Sequence, residues 1–171
     1  HPFRGKRNEP SRVRLVAEKI AALRNISLEQ LAAVLEISEA EVAELMAKLE
    51  QDRVVLGYHA VIDWEKANRE LVTALIEVKV TPQRGLGFDN IAERIYQYPE
   101  VTSVFLMSGG FDLTVIIEGK TMKDVAMFVS QKLAPMEGVQ STATHFVLKK
   151  YKQEGFIFGP DTKDQRAAIW L

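Results

Sequence analysis

Five consecutive residues, Ser108–Asp112, carry the groups that would hold a small zwitterion. The stretch offers uncovered backbone N–H groups at its Gly-Gly pair, one hydroxyl and one carboxylate. Backbone N–H groups bind a carboxylate and a carboxylate binds an ammonium, so this chemistry suits an amino acid. A Gly-Gly pair between the apolar runs 101–107 and 113–117 is also a hairpin signal, because tight hairpin turns need positive φ. The residues alone leave both interpretations open, a plain turn and a binding site.

No other motif carries catalytic or cofactor chemistry. The Gly-Leu-Gly run at residues 85–87 lacks the third glycine of a dinucleotide fingerprint, where Asn90 stands, so we interpret it as a loop. His59 and His145 lie in different predicted domains without metal-ligand spacing. No Ser–His–Asp arrangement or distinct carboxylate pair is present in the sequence pattern. We therefore expect a protein that is not an enzyme and that uses no cofactor and no metal.

The composition predicts a globular chain of one or two small domains. It has 171 residues, 47% of them apolar, and a net charge of −1, so bulk charge predicts no affinity for nucleic acid or membranes. The absence of cysteine excludes disulfides and thiolate chemistry and fits a reducing cytosol. No apolar run approaches the roughly 18 residues of a membrane span. We expect a cytoplasmic protein with no membrane partner.

Helical spacing dominates the first third of the chain. Apolar residues recur three or four apart in the stretches 13–23, 28–35 and 42–49. Ser27 and Ser38 have the type and position of N-caps, and Glu41 completes a capping box. The short connection between the second and third helices is typical of a helix-turn-helix. Apolar residues around Gly57, within 54–62, predict a small β-hairpin, so we predict a winged helix-turn-helix.

From Leu71 onward the apolar period changes to two, which is typical of a strand. Two amphipathic helical stretches follow, ending at Pro99 and Pro135, and they alternate with a central hairpin and a closing strand at 139–150. The predicted order is β-α-β-β-α-β, the ferredoxin-like plan. The fold class is therefore α+β, an N-terminal winged helix-turn-helix followed by a C-terminal ferredoxin-like domain.

Composition shifts along the chain predict the domain boundaries. We place a winged helix-turn-helix domain at 11–62, a charged linker at 63–70, a ferredoxin-like domain at 71–152 and a C-terminal extension at 153–171. Apolar residues at 155–160 and 167–171 predict that the extension docks on a partner, with disorder as the alternative.

The predicted sheet has one face that its own helices cannot cover. Two helices cover only one face of a four-stranded sheet. The middle strands are nevertheless apolar on both faces, with Val104 and Leu106 on one and Phe105 and Met107 on the other. A large exposed apolar patch is rare on soluble monomers. We therefore predict a homodimer that packs sheet on sheet.

With both halves in place, the chain resembles the Lrp/AsnC family of bacterial and archaeal transcription regulators over residues 12–152. The resemblance is carried by the order of the two domains, the connection LEQDRVVLGY at 49–58, the hairpin MSGGFD at 107–112 and the strand GVQSTAT at 138–144. It implies a second domain that dimerises, often assembles into octamers, and binds amino acids between subunits. The effector-binding residues it implies are Met107, Ser108, Gly109, Gly110 and Asp112, with Thr142 and Thr144 nearby on the partner.

The resemblance also implies that the helix beginning at Ser38 enters the major groove of double-stranded DNA. Members of the family usually carry arginines where this chain has Glu44 and Leu45. The helix is acidic, whereas Lys and Arg supply the affinity for phosphates. DNA binding is then carried by the N-terminal arm and the wing, or it is weak, or it is lost. The predicted DNA-binding residues are Arg12, Arg14, Ser27, Ser38, Lys48 and Arg53.

Three functional hypotheses follow from these observations. The first is a sequence-specific transcription regulator whose assembly and operator affinity respond to an amino acid. The second is an amino-acid-binding dimer with a vestigial DNA-binding domain, which the acidic helix motivates. The third is an enzyme similar to the sirohaem decarboxylases that share this fold, for which residues 142–145 are the only candidate neighbourhood.

Overall fold

The computed structural model of this protein describes residues 9–22, 27–81 and 87–159. The chain divides between Ala60 and Val61 into two compact units. Three sequence interpretations fall outside the described residues: the end of the first helical stretch at Leu23, the Gly-Leu-Gly run up to Leu86, and the apolar end at 167–171.

Three helices form the first unit. They are α1 (Glu9–Ala22), α2 (Leu28–Leu35) and α3 (Glu39–Gln51). Leu31, Ala32 and Val42 form its buried cluster, against which Ile20 of α1 packs. Glu36 ends α2 in the left-handed conformation, with φ of 55°, and so reverses the chain three residues before α3 begins at Glu39. The helix-turn-helix predicted from the sequence is confirmed.

The predicted wing is wrong, because residues 54–63 contain no strand. The N–H groups of Val54 and Val55 donate instead to the Leu49 carbonyl, at 2.9 and 3.1 Å, and so close the C-terminal end of α3. Gly57, the expected turn residue, does not adopt the positive φ that a tight hairpin needs. Apolar residues on both sides of Gly57 therefore do not form a paired hairpin here.

The second unit has the predicted β-α-β-β-α-β order. Its elements are β1 (Val72–Val80), α4 (Asp89–Tyr96), β2 (Val101–Leu106), β3 (Leu113–Gly119), α5 (Met122–Phe128) and β4 (Val139–Phe146). The sheet order is β2-β3-β1-β4, and every neighbouring pair is antiparallel. The ferredoxin-like prediction is confirmed, although the closing strand ends at Phe146 and not at Lys150.

One face of this sheet forms the core with α4 and α5. Along β1, Ala74, Ile76 and Val78 are fully buried, and their neighbours on β3 are Ile117, Val115 and Leu113. The helices contribute Ile91, Ile95, Val125 and Phe128 to the same cluster. Burying each such side chain stabilises the fold by about 1.5 to 3 kcal/mol, so the alternation in β1 fixes which face of the sheet turns inward.

The opposite, open face of the sheet is mixed, less apolar than the sequence predicted. Leu75 pairs with Ile116 there, and Phe105 is 51% exposed. Polar and charged side chains surround these three, including Glu77, which lies 3.6 Å from the His145 imidazole. The face thus has a small apolar centre with a charged margin.

The sequence predicted that the second helix of this unit, α5, continues to Leu133. The α-helix is shorter than that prediction. It ends at Phe128, and Val129–Leu133 winds as a π-helix in which the Ala134 N–H donates to the Val129 carbonyl at 2.7 Å. Bonds from i to i+5 bring residues five apart onto one side. Phe128 and Leu133 are both buried, which α-helical spacing would not achieve.

The C-terminal extension begins with a small hairpin. Its strands are β5 (Lys152–Gln153) and β6 (Phe156–Ile157). Glu154 and Gly155 between them both have positive φ, 49° and 83°, as a tight two-residue hairpin turn requires. The apolar residues of this segment predicted docking on a partner, with disorder as the alternative, and did not indicate a hairpin.

Gly138 precedes β4 and gives a test of the core. Its φ is +91°, and a Cβ there would lie 2.7 Å from Cδ1 of buried Ile91. We expect Gly138→Ala to lower the free energy of unfolding by about 1 to 3 kcal/mol in urea titrations. Alanine is strained at this φ, and the Ile91 side chain must move to make room for the added Cβ. Gly110→Ala is the matched control, because its Cβ would meet open space. Equal losses in the two variants would contradict this view of the core.

Candidate functional site

The predicted binding stretch forms the loop between β2 and β3. The Met107 N–H donates to the Asp112 carbonyl at 2.8 Å, so residues 108–111 form a four-residue loop. Gly109 has φ of +122°, a value that favours glycine, whereas Gly110 lies outside the left-handed region. Residues 107–110 are exposed. The loop therefore presents its backbone to solvent.

Asp112 fixes the base of this loop to the central strand. Its Oδ2 accepts the Val80 N–H at 2.8 Å, and its own N–H donates to the Val78 carbonyl at 3.0 Å. These bonds extend the β1–β3 ladder by one step beyond the pair Val78–Leu113. Sequence reasoning missed this role, since nothing local to Asp112 indicates a partner 32 residues earlier.

The geometry gives Asp112 a second capacity. Within the described residues no hydrogen bond engages its other carboxylate oxygen, Oδ1, and the residue is half-buried. A carboxylate held by a strand N–H keeps a fixed position, so its negative charge lies at a defined point beside the exposed loop backbone. That arrangement suits a ligand with an ammonium and a carboxylate group.

The two predicted threonines do not join the loop within one protomer. Thr142 pairs with Val78 and Thr144 pairs with Ile76, so both lie on β4 and on the core face. Thr142 is in the same row as Leu113, but β1 separates them by two strand spacings, about 10 Å. Thr144 is one row further from the loop. The structure brings together residues 107–112 and leaves both threonines apart.

The two serines predicted to bind DNA serve as helix caps. Ser27 Oγ accepts the Gln30 N–H at 3.1 Å, and Ser38 Oγ accepts the Glu41 N–H at 3.2 Å. The Ser38 hydroxyl also donates to Glu41 Oε2 at 2.9 Å. Their N-cap role, inferred from the sequence, is confirmed.

The predicted basic residues have different surroundings. Arg12 and Arg14 lie within α1, and the Arg12 side chain falls outside the described residues. The Arg14 guanidinium donates to Glu18 Oε1 at 2.7 Å, and this hydrogen bond raises the pKa of Arg14. Lys48 is exposed in the last turn of α3, and Arg53 is exposed just beyond it with φ of 55°. Lys48 and Arg53 therefore flank the end of the predicted recognition helix.

The acidity of α3 has in part a structural origin. Glu41 closes the capping box at its first turn. Glu50 accepts the Tyr58 hydroxyl at 3.1 Å, and loss of hydration, together with this bond, raises the pKa of Tyr58. Glu39 and Glu44 are exposed. Two of the four carboxylates thus stabilise the local fold, and two carry charge on the surface.

Two absences hold for the residues that the structure describes. No helix among them is long and apolar enough to cross a membrane. Nor does any group of three or more His, Cys, Asp or Glu side chains in those ranges lie close enough to hold a metal ion.

The chain has a helix-turn-helix unit followed by a ferredoxin-like unit with an exposed glycine loop. This is the architecture of HTH-type transcription regulators with an effector-binding domain. Comparison with known proteins agrees with this class. Residues 73–156 match the model of the Lrp/AsnC ligand binding domain. The HTH-type transcriptional regulator YugG of Bacillus subtilis is 51% identical over 143 residues, which are 83% of this chain and 86% of that protein.

The chain therefore belongs to the Lrp/AsnC family of transcription regulators. A more distant relative is the regulator FL11 of Pyrococcus furiosus, 25% identical over 75% of this chain and 82% of its own. Both of these relatives are named as transcriptional regulators and not as enzymes.

Solved structures share the fold at low identity. The leucine response regulatory protein of Mycobacterium tuberculosis superposes with a TM-score of 0.67 at 21% identity, over 83% of this chain and 94% of that one. A transcriptional regulator of Neisseria meningitidis, solved in complex with L-Met, superposes with a TM-score of 0.61 at 24% identity, over 82% and 88%. At such identities the likeness shows the fold alone.

Proposed function

We propose that this protein is a sequence-specific DNA-binding regulator whose assembly and operator affinity respond to an amino acid bound at the loop 107–112. The observation that carries the proposal is the Asp112 carboxylate, which β1 holds beside exposed glycine backbone. The ammonium group of an amino acid would bind the Asp112 carboxylate, and its carboxylate would accept hydrogen bonds from the glycine backbone of the same short loop. The L-Met bound to the neisserial relative supports an amino acid as the effector class.

The proposed site is completed by a second copy of the chain. Within one protomer Thr142 and Thr144 lie across β1 from the loop and on the core face, so they reach a ligand there only from another subunit, in a contact other than the open-face dimer. A ligand shared between subunits binds one assembly better than another, and this difference in affinity shifts the equilibrium between them. Operator affinity follows, because the spacing of paired recognition helices sets which half-sites both reach.

The open face of the sheet is the surface proposed for dimerisation. We expect light scattering at micromolar concentration to give twice the 19.3 kDa chain mass, or a multiple of that dimer. Ile116→Lys places a charge in the small apolar centre beside Leu75, and the variant should be monomeric at concentrations where the parent is dimeric. Met122→Lys, at an exposed position of α5, should leave the mass of the assembly unchanged. A monomeric parent protein would refute sheet-on-sheet pairing.

Effector binding is tested by a thermal-shift screen of the twenty amino acids. A ligand that binds only the folded state raises Tm, so at least one amino acid should raise the Tm of the parent by several degrees. Asp112→Asn keeps an oxygen to accept the Val80 N–H but loses the charge for the ammonium. It should unfold like the parent without ligand and lose the shift.

The matched control for that screen is Lys123→Gln, an exposed change on α5 outside the loop, which should retain the full shift. A screen without any shift, or an Asp112→Asn variant that responds like the parent, would show that the loop is a plain turn.

DNA binding is tested through its salt dependence. Lys48→Gln and Arg53→Asn remove cations beside α3, and asparagine tolerates the left-handed backbone at position 53. Each lost phosphate contact should lower the slope of log affinity against log salt by about 0.9 in mobility-shift assays on the promoter region of its own gene. Lys123→Gln should leave that slope unchanged. A parent protein that binds no DNA at low salt would favour the alternative of an amino-acid-binding dimer with a vestigial DNA-binding domain, which the exposed Glu39 and Glu44 motivate.

A further inference from the structure

A concave surface lies at the end of the sheet opposite the loop 107–112. There β1 begins, β3 ends and β4 ends, since Val72 pairs with Gly119 and the Val147 N–H donates to the Thr73 carbonyl at 2.9 Å. These strand ends line a cleft of about 900 Å³. That volume lies within the range of small-molecule sites, about 300 to 1,000 Å³.

The cleft is remote from the proposed effector loop. Val72 lines it, whereas Val78 lies beside Asp112. Six residues of strand separate the two, a distance of about 20 Å. A ligand in the cleft would therefore share no direct contact with a ligand at the loop.

One wall of the cleft is a hydrogen-bonded turn that carries an indole ring. The Lys66 N–H donates to Asp63 Oδ1 at 3.2 Å, and the Arg69 N–H donates to the Trp64 carbonyl at 2.9 Å. The Arg69 guanidinium lies 4.7 Å from the centre of the Trp64 ring. Because these contacts order the turn, the half-buried Trp64 and the half-buried Phe158 offer aromatic surface at defined positions.

Positive charge predominates around the cleft. Its lining includes five cationic and three acidic side chains. Lys120 follows the end of β3 and Lys150 follows β4, and neither forms an ion pair within the described part of the chain. Two ammonium groups thus border one concavity without compensating carboxylate partners.

A buried hydroxyl in the same lining lacks a partner. Thr73 Oγ1 is inaccessible to solvent and makes no hydrogen bond among the described residues. Buried hydroxyls in folded proteins nearly always have a partner. Because Thr73 lines the cleft, this unpartnered hydroxyl lies just beneath the surface that a bound group would cover.

We propose that this cleft binds an organic anion, whose carboxylate or phosphate oxygens contact Lys120 and Lys150 and whose planar body packs against Trp64 and Phe158. Lysine ammonium groups bind either type of oxygen as point charges. The site would give the protein a second small-molecule input, and it does not depend on an amino acid binding at the loop 107–112.

The test uses the fluorescence of Trp64 in the intact 171-residue chain. Trp170→Phe leaves Trp64 as the single tryptophan, because the sequence contains two. We expect saturable quenching with AMP or with benzoate, at least tenfold weaker in the Lys120→Gln/Lys150→Gln double variant. Lys123→Gln supplies the matched control, since it removes an exposed lysine outside the cleft, and should bind like the parent. Asp112→Asn should also bind like the parent, which separates this site from the effector loop.

Four results would overturn the proposal. The first is the absence of saturable quenching with both AMP and benzoate. The second is equal affinity of the parent and the double variant for AMP or benzoate, which would show that the two lysines do not contact the ligand. The third is competition by inorganic phosphate that prevents AMP from quenching Trp64, with phosphate binding as tightly as AMP. Equal affinities would show that the aromatic wall contributes nothing to binding. The fourth is a Trp64 signal that depends on protein concentration alone, which would show that a second copy of the chain fills the cleft.

Nucleic acid is the remaining source of phosphate, and a random DNA duplex distinguishes it from a small ligand. Loss of duplex affinity in the double variant, without any AMP or benzoate binding to the parent, would make the lysines a DNA-backbone contact and refute the small-molecule site. AMP or benzoate binding that the duplex does not displace would support it.

Discussion

The central position of β1 is the constraint on which the second unit depends. As the first strand in the unit, β1 lies between β3 and β4, and it makes one ladder with each. Its buried residues define the core face, and its two ends define two different surfaces. At one end Val80 holds Asp112 beside the loop, and at the other end Val72 and Thr73 line a basic cleft. One strand thus positions both candidate ligand sites without contributing a charged group to either.

Most of the architecture could be predicted from local patterns. Ser38 was recognised as a cap because a capping box is a signal of four residues, and Ser27 because it directly precedes an apolar helical stretch. The apolar alternation along β1 was sufficient to place a strand there. Periodicity also separated the helical first unit from the sheet of the second, and the order of elements then left few topologies to consider.

The features that sequence reasoning missed depend on partners far along the chain or on competition between two local structures. The Asp112–Val80 bond joins residues 32 positions apart. Residues 54–62 are largely apolar on both sides of Gly57, but the N–H groups of Val54 and Val55 donate to the Leu49 carbonyl and no strand forms. The π-helical turn after Phe128 arises because Leu133 must also be buried, which no helical period specifies. The cleft lies where three strand ends meet, so no single segment indicated it.

The pairing of β1 with β4 has a consequence for the order in which the protein is made. Ala74 pairs with Phe146, 72 residues later (146 − 74). The first unit ends at Ala60, so its buried cluster of Leu31, Ala32 and Val42 is complete early in synthesis. β1 must remain with an unpaired edge until almost the whole chain has left the ribosome. The strand that organises the second unit is therefore the first strand of its four-stranded sheet to be synthesised, and it is fully paired only when β4, the last strand of that sheet, joins it.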